Sequence, residues 1–292
     1  WKDPVALLAS HGEELPIACG TVSLADHQDV YWYLRSPDNE DPAARKSLAD
    51  VFAAGMQRET NIENQVVVET PDPWLNAAVG ASVNANDGCY RDGIYTHSGM
   101  RWGVALLGWR TMFGGTVYGW HDWVNADAAT FISKQITESD KTKADADPKA
   151  LLSSQAADSR MFGKGRINLH QPYHYDMQSQ FFDQVEHAWY WTGDPALEKL
   201  LRPSLDLHCE YIKDCFDPAS LGIYESYANT WPTDDQWYNG GGTSEETAYA
   251  YKAEMTALQL AQRAGDQAGV RLHTANLARI RPGVFNLLWN SQ

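Results

Sequence analysis

The sequence predicts a mainly α fold, a toroid of helical hairpins, behind a short β-rich segment. Three observations carry that prediction. From Val66 onward apolar residues recur at helical spacing almost to the end of the chain. Helix starts are marked by Asp–Pro and helix ends by Gly. A hairpin joint also occurs twice: WTGDPALEKLL and RAGDQAGVRLH place Gly–Asp between two helical stretches, 72 residues apart from Asp194 to Asp266. Helix, Gly–Asp turn, helix, long connection, repeated, is how stacked αα-hairpins read. In such an arrangement the long connections gather at one end and carry the chemistry.

The elements follow in order. Residues 1–40 contain VALLAS, IACGTVSL and VYWYLRS, short β-branched or aromatic runs between polar turns, and read as strands or the end of a β-sandwich. Residues 41–65 open on Asp41–Pro42 and read as a linker helix. VVVETPDP is a short strand or extended entry, and residues 66–292 form the helical domain. Its expected helices lie in PDPWLNAAVGASVNAND, HSGMRWGVALLGWRTMF, GWHDWVNADAATFISKQI and YDMQSQFFDQVEHAWYWTG. DPALEKLLRPSLDLHCEYIKDCF follows, kinked or restarted at Pro203. SEETAYAYKAEMTALQLAQRAG is capped by Ser244 and ended by Gly265, and DQAGVRLHTANLARIRPGVFNLLWN is interrupted at Pro282. Residues 138–172 read as a long polar loop.

Composition narrows the partners. The net charge of −15 over 292 residues disfavours a nucleic-acid backbone or an anionic membrane surface. No apolar run approaches the roughly 18 residues of a membrane span. The first residue is Trp1 and no signal peptide is visible, so the chain is expected to be a processed or trimmed piece. The four cysteines form no Cys-x-x-Cys pair, and all are expected to be free; no metal motif or cofactor is implied. Twelve Trp and fourteen Tyr concentrate between Tyr90 and Tyr251. They suit a large core, or a cleft whose flat rings stack on sugars.

Four segments combine these rings with titratable groups: Tyr90–Arg110, Tyr118–Trp123, His170–Asp176 and Tyr224–Glu246. Each carboxylate has a structural reading beside the catalytic one. Asp122 and Asp176 suit first-turn or capping acids, worth about 0.5–2 kcal/mol as caps. Glu245 and Glu246 follow Ser244 at a helix start, where capping is the expected job. Glu225 suits a structural hydrogen bond or catalysis. Asp234 and Asp235 are adjacent and cannot both face one way in an extended loop; one faces the cleft and the other holds the loop.

Three chemistries compete for these residues. Glycoside hydrolysis needs two carboxyl groups, about 5–5.5 Å apart if retaining or 6.5–9.5 Å if inverting, with aromatic and polar subsites. Metal-dependent diphosphate chemistry needs carboxylates on one helical face, which Gly240, Gly241 and Gly242 oppose. Proton abstraction by His or Tyr, as in polysaccharide lyases or sugar epimerases, draws on His97, His121, His170 and His174.

PDPWLNAAV, THSGMRWGVALLGWRTMFGGTVYGWHDW, HYDMQSQFFDQVEHAWYWTGD and IYESYANTWPTDDQWYNGGGTSEETAYAY, in that order, resemble the six-hairpin (α/α)6 glycosidase superfamily. Within it they are most similar to a bacterial domain-of-unknown-function family related to glycoside hydrolase family 142-like proteins. The resemblance covers about residues 66–292. It implies an N-terminal β-sandwich, a linker helix, a toroid, and a periplasmic or extracellular setting in plant-glycan degradation. Twelve helices would complete the toroid, and fewer are read before LLWNSQ. The domain is therefore expected to be truncated at its C-terminal end, with the general base beyond Gln292 or supplied by another segment.

The expectation is a glycoside hydrolase, inverting, acting on a plant-type or host oligosaccharide. Asp235 is the first choice of general acid, followed by Glu225, then Asp122 and Asp176. His97, Trp102, Trp120, His121, His174, Trp231, Trp237 and Tyr238 would line the sugar subsite. The alternatives are a non-catalytic glycan-binding module and a lyase or epimerase.

Overall fold

The computed structural model describes residues 21–32, 47–97, 109–138, 163–167, 175–225 and 242–290. The chain divides into two compact units, residues 1–61 and 62–292. The described residues of the first unit contain a turn at Asp26–His27 and the helix α1, Leu48–Glu63, which reaches just past the unit boundary. No strand forms among the described residues of the expected β-rich segment, which are 21–32. Within the stretch 41–65, expected to be a linker helix, the helix α1 forms. VVVETPDP is an extended entry and not a strand.

The second unit is mainly helical. Asp72 opens α2, Pro73–Gly88, by accepting hydrogen bonds from the Trp74 and Leu75 amides. A two-residue antiparallel pair follows, β1 Tyr90–Arg91 and β2 Ile94–Tyr95, with Tyr90 opposite Tyr95. Then come α3 Thr111–Val117, α4 His121–Ile132, α5 Tyr175–Thr192 and α6 Pro195–Phe216. The last two are α7 Ser244–Arg263 and α8 Gln267–Gly283, with a π-helical turn at Val284–Leu288. Pro203 stands inside α6 and Pro282 in the last turn of α8, and neither ends its helix. The cap of α7 is Thr243, not Ser244: its side chain accepts from the Glu246 amide at 3.3 Å.

Pairings of constant sequence offset set the layout. Asn125–Asp194 and Gln135–Ser204 are both 69 residues apart, so α4 and α6 run parallel. Ser179–Glu246 and Glu186–Thr256, 67 and 70 apart, make α5 and α7 parallel. Arg202–Asp266 and Asp217–Arg279, 64 and 62 apart, do the same for α6 and α8. The hairpin α5/α6 therefore stacks on α7/α8 as a repeat. The pair α3/α4 belongs to the same series. Its joint, Gly119, has φ +84°, as Gly193 has +63° and Gly265 +71°, and the three stand 74 and 72 residues apart. Each sits in the left-handed region that favours glycine, which lets the chain reverse in a few residues. Asp194 and Asp266 then cap the following helices through the amides of Ala196, and of Ala268 and Gly269.

The core lies between α4, α5, α6 and α7. Phe131, Phe181, Phe182, Leu201, Leu205 and Leu260 are among its fully buried side chains. A smaller cluster around Tyr211, Phe216, Tyr224 and Ile280 joins α6 to α8. No disulfide joins the described cysteines, Cys89, Cys209 and Cys215, to one another. Among the described residues no helix is long and apolar enough to cross a membrane.

Candidate active site

Parallel packing brings the N-terminal ends of α5 and α7 side by side, each with a carboxyl group in its first turn. Asp176 on α5 is fully buried, and its Oδ2 accepts from Gln180 Nε2 at 2.9 Å. Glu246 on α7 is 2% exposed. Its Oε2 accepts from Ser179 Oγ at 3.0 Å, and its Oε1 has no partner among the described residues. Burial pushes the Glu246 carboxyl up to about 8, helped by the Asp176 charge and opposed by the Ser179 hydrogen bond and by Arg166. A helix N-terminus favours the ionised form, but here burial dominates. At neutral pH Glu246 keeps its proton, which a glutamic acid in water has lost.

A buried polar layer supports this pair. Gln178 Oε1 accepts from the Ile167 amide at 2.8 Å and from Arg166 Nη1 at 3.3 Å. Its Nε2 donates to the Gly165 carbonyl at 2.9 Å and meets His208 Nδ1 at 3.0 Å. Since Nδ1 must accept there, the ring carries its proton on Nε2. Burial, and next the Arg166 charge, push His208 down to about 3, so it is neutral. Arg166 thus supplies the fixed positive charge near the carboxyl pair.

The segment 226–241 begins and ends beside this pair. Glu225 bridges Gly242, the Thr243 amide donates to the Tyr224 carbonyl at 2.9 Å, and the Tyr224 amide donates to Thr247 Oγ1 at 3.0 Å. The Glu225 amide is held by the Phe216 carbonyl at 2.8 Å. Residues 168–174 join α5 directly ahead of Asp176.

Asp176 and Glu225 therefore lie near Glu246. Asp122, His121 and Trp120 do not. His121 Nε2 meets the Thr116 carbonyl at 3.2 Å, and Asn125, one turn further on, donates to Asp194 at 2.8 Å. This is the tight-turn end. With 18 residues in α5, it lies roughly 27 Å from Asp176. Asp122 is an exposed first-turn acid of α4. Trp120 joins a run of rings: it tilts against Trp123 at 4.8 Å, and Trp123 stacks on Tyr90 at 4.4 Å. His97 is exposed and meets the edge of Trp109 at 4.4 Å. Asp235, Trp102, His174, Trp231, Trp237 and Tyr238 lie outside the described residues.

Glu246 was expected to cap its helix. Its carboxyl instead crosses to α5. The signal was in the repeat: Asp176 and Glu246 are 70 residues apart, within two of the Gly–Asp spacing, so both fall at the same point of successive hairpins. No family model, no curated protein and no solved structure matches this chain.

Proposed function

We propose that this chain is a glycoside hydrolase of the six-hairpin type, exported to the periplasm or beyond the cell, with Glu246 as the proton donor. One observation carries the reading. A glutamic acid held protonated at neutral pH stands beside a second carboxyl group, at the root of an aromatic-rich segment. A carboxyl group that keeps its proton near pH 7 can protonate a glycosidic oxygen. The hairpins α3/α4, α5/α6 and α7/α8 would be consecutive parts of the toroid. Asp235, in the segment rooted beside Glu246, would be the partner carboxylate. His174, Trp231, Trp237 and Tyr238 would contact the sugar, while Asp176 and Arg166 would position Glu246 and set its proton affinity. Trp120, His121 and Asp122 leave the site in this reading.

The test uses the full chain against a panel of plant and host oligosaccharides, with reducing-end release and calorimetric binding read together. Removing a general acid costs about 10²–10⁴ in turnover, so Glu246→Gln should lose that much while glycan affinity survives. If a glycan is cleaved and Glu246→Gln cleaves it as fast, Glu246 is not the donor.

A second reading has its own support: Asp176 and Glu246 are 0% and 2% exposed, which suits a glycan-binding module whose acids only hold α5 to α7. It predicts binding without cleavage of any panel member.

A further inference from the structure

A separate titratable cluster lies between α6, α7 and α8. Cys209 on α6, Glu254 on α7 and His273 on α8 each offer one donor atom, and the three atoms lie within 4.8 Å of one another. All three residues are 2% exposed or less. The imidazole is held on both sides: Nδ1 is 2.7 Å from Glu254 Oε2, and Nε2 is 3.3 Å from Asp206 Oδ1. Asn276 Nδ2 donates to the other oxygen of Glu254 at 2.8 Å.

We propose that Cys209, Glu254 and His273 form a divalent-cation site, of the chemistry zinc prefers, that pins α6, α7 and α8 together. Thiolate, imidazole and carboxylate are the three donor types of protein-bound zinc. In a tetrahedral site with bonds of about 2.0–2.3 Å, donor atoms stand roughly 3.3–3.8 Å apart. The Nδ1–Oε2 edge of 2.7 Å opens by about 0.6 Å to reach that range, and the sulfur, within 4.8 Å of a donor atom on each partner, closes in. The outer partners that orient metal ligands are already in place. Asp206 takes the distal ring nitrogen and Asn276 fixes the carboxylate, the usual arrangement behind a ligating histidine.

The sulfur separates this from a plain ion pair. A His273–Glu254 pair needs no third member. A buried thiol ordinarily serves as a small apolar side chain, and apolar filling has no reason to sit against a buried carboxylate and imidazole. With a bound M²⁺, thiolate and carboxylate balance the charge and the ring is neutral. The ion and its three buried ligands are then neutral together. Three side-chain donors leave a fourth position for a water, and because they come from three helices a bound ion ties those helices together.

The test starts from the full chain stripped with a chelator, in a background where Cys19, Cys89 and Cys215 are serine. Zn²⁺ should bind at one equivalent by metal analysis and raise the unfolding temperature. Co²⁺ in its place should give the thiolate-to-metal charge-transfer band in the near ultraviolet. Cys209→Ser and His273→Gln should each abolish stoichiometric binding. Because the cobalt band is read with Cys209 intact, the outcome stands even if a variant fails to fold. No uptake by the stripped chain, binding without the sulfur band, or a band that persists in Cys209→Ser overturns the proposal.

Discussion

Replacing Glu246 with glutamine should make the protein more stable, and increasingly so as pH rises. Folding moves this carboxyl from its ordinary value of 4.5 to about 8. Between those limits the native state holds a proton that the unfolded chain has released. Stability from this group is fully present below pH 4.5, falls through the window, and is gone above about 8. The slope is about 1.4 kcal/mol per pH unit, which amounts to roughly 5 kcal/mol across the window. Glutamine carries no proton and still accepts from Ser179. Urea unfolding of parent and variant from pH 4 to 9 isolates the effect, because the other titrating groups largely cancel in the difference. The two proteins should have nearly equal stability at pH 4.5, with the variant ahead by several kcal/mol at pH 8. The Asp176 charge is part of the cause, so the midpoint of the difference curve belongs to the pair. A difference that does not change with pH, or a variant less stable at pH 8, would refute the argument. If Glu246 is also the donor, the same substitution gains stability and loses turnover, the signature of an acid kept in a costly place for its chemistry.

Other expectations follow from the same geometry. Asp266→Ala removes the cap of α8 and the Arg202 ion pair, and should lower the midpoint of denaturant unfolding. Leu205→Ala, at a fully buried position of α6, should cost about 2–5 kcal/mol by the same assay. Gly165 has φ +89° and its absent Cβ points at the Leu207 carbonyl. Gly165→Ala should therefore lower the unfolding temperature sharply and disturb the Gln178 contacts. Trp120→Ala and Asp122→Asn, at the turn end, should leave turnover of any cleaved glycan unchanged, and a collapse of turnover would return that end to the active site.

Much of the helical pattern was legible because its signals are local. Asp72, Asp194, Gly193 and Gly265 act within one turn of their own helices, through caps and left-handed φ, so they can be read without the fold. The third joint was missed because Gly119 is followed by Trp120 and not by a capping aspartate; Trp120 makes no side-chain cap. The resulting segment, Tyr118–Trp123, read as a cluster of rings and titratable groups, forms a hairpin turn. Pro203 misled in the opposite direction, since a local rule for breaking helices lost to the packing of Leu201, Leu205 and Cys209 on either side. The neutral His208 and its Gln178 partner depend on contacts 30 residues apart, which no periodicity reports.

The carboxylates show why the site itself was harder to read than the fold. Asp194, Asp266 and Glu246 all stand at helix starts, and in sequence they look alike. The first two sit at partly exposed caps. The Asn125 and Ala196 hydrogen bonds hold Asp194 below the usual carboxylate range, and the Gly269 amide, with Ala268 and Arg202, does the same for Asp266. Glu246 is buried against a second helix, and desolvation drives it the other way. Asp127 on α4 and Glu186 on α5 are likewise pushed up to about 8 by burial, each with one hydrogen bond opposing the shift: from the Tyr95 amide to Asp127, and from Thr256 to Glu186. What separates Glu246 from these two is position. Asp127 and Glu186 lie within the lengths of α4 and α5, where a neutral acid serves packing. Glu246 lies at a helix end with one oxygen unpartnered among the described residues, next to Asp176 and to the root of the segment that holds Asp235. Burial alone makes a protonated acid; the proposal of a proton donor at Glu246 rests on its place at the end of a hairpin stack, beside a long connection.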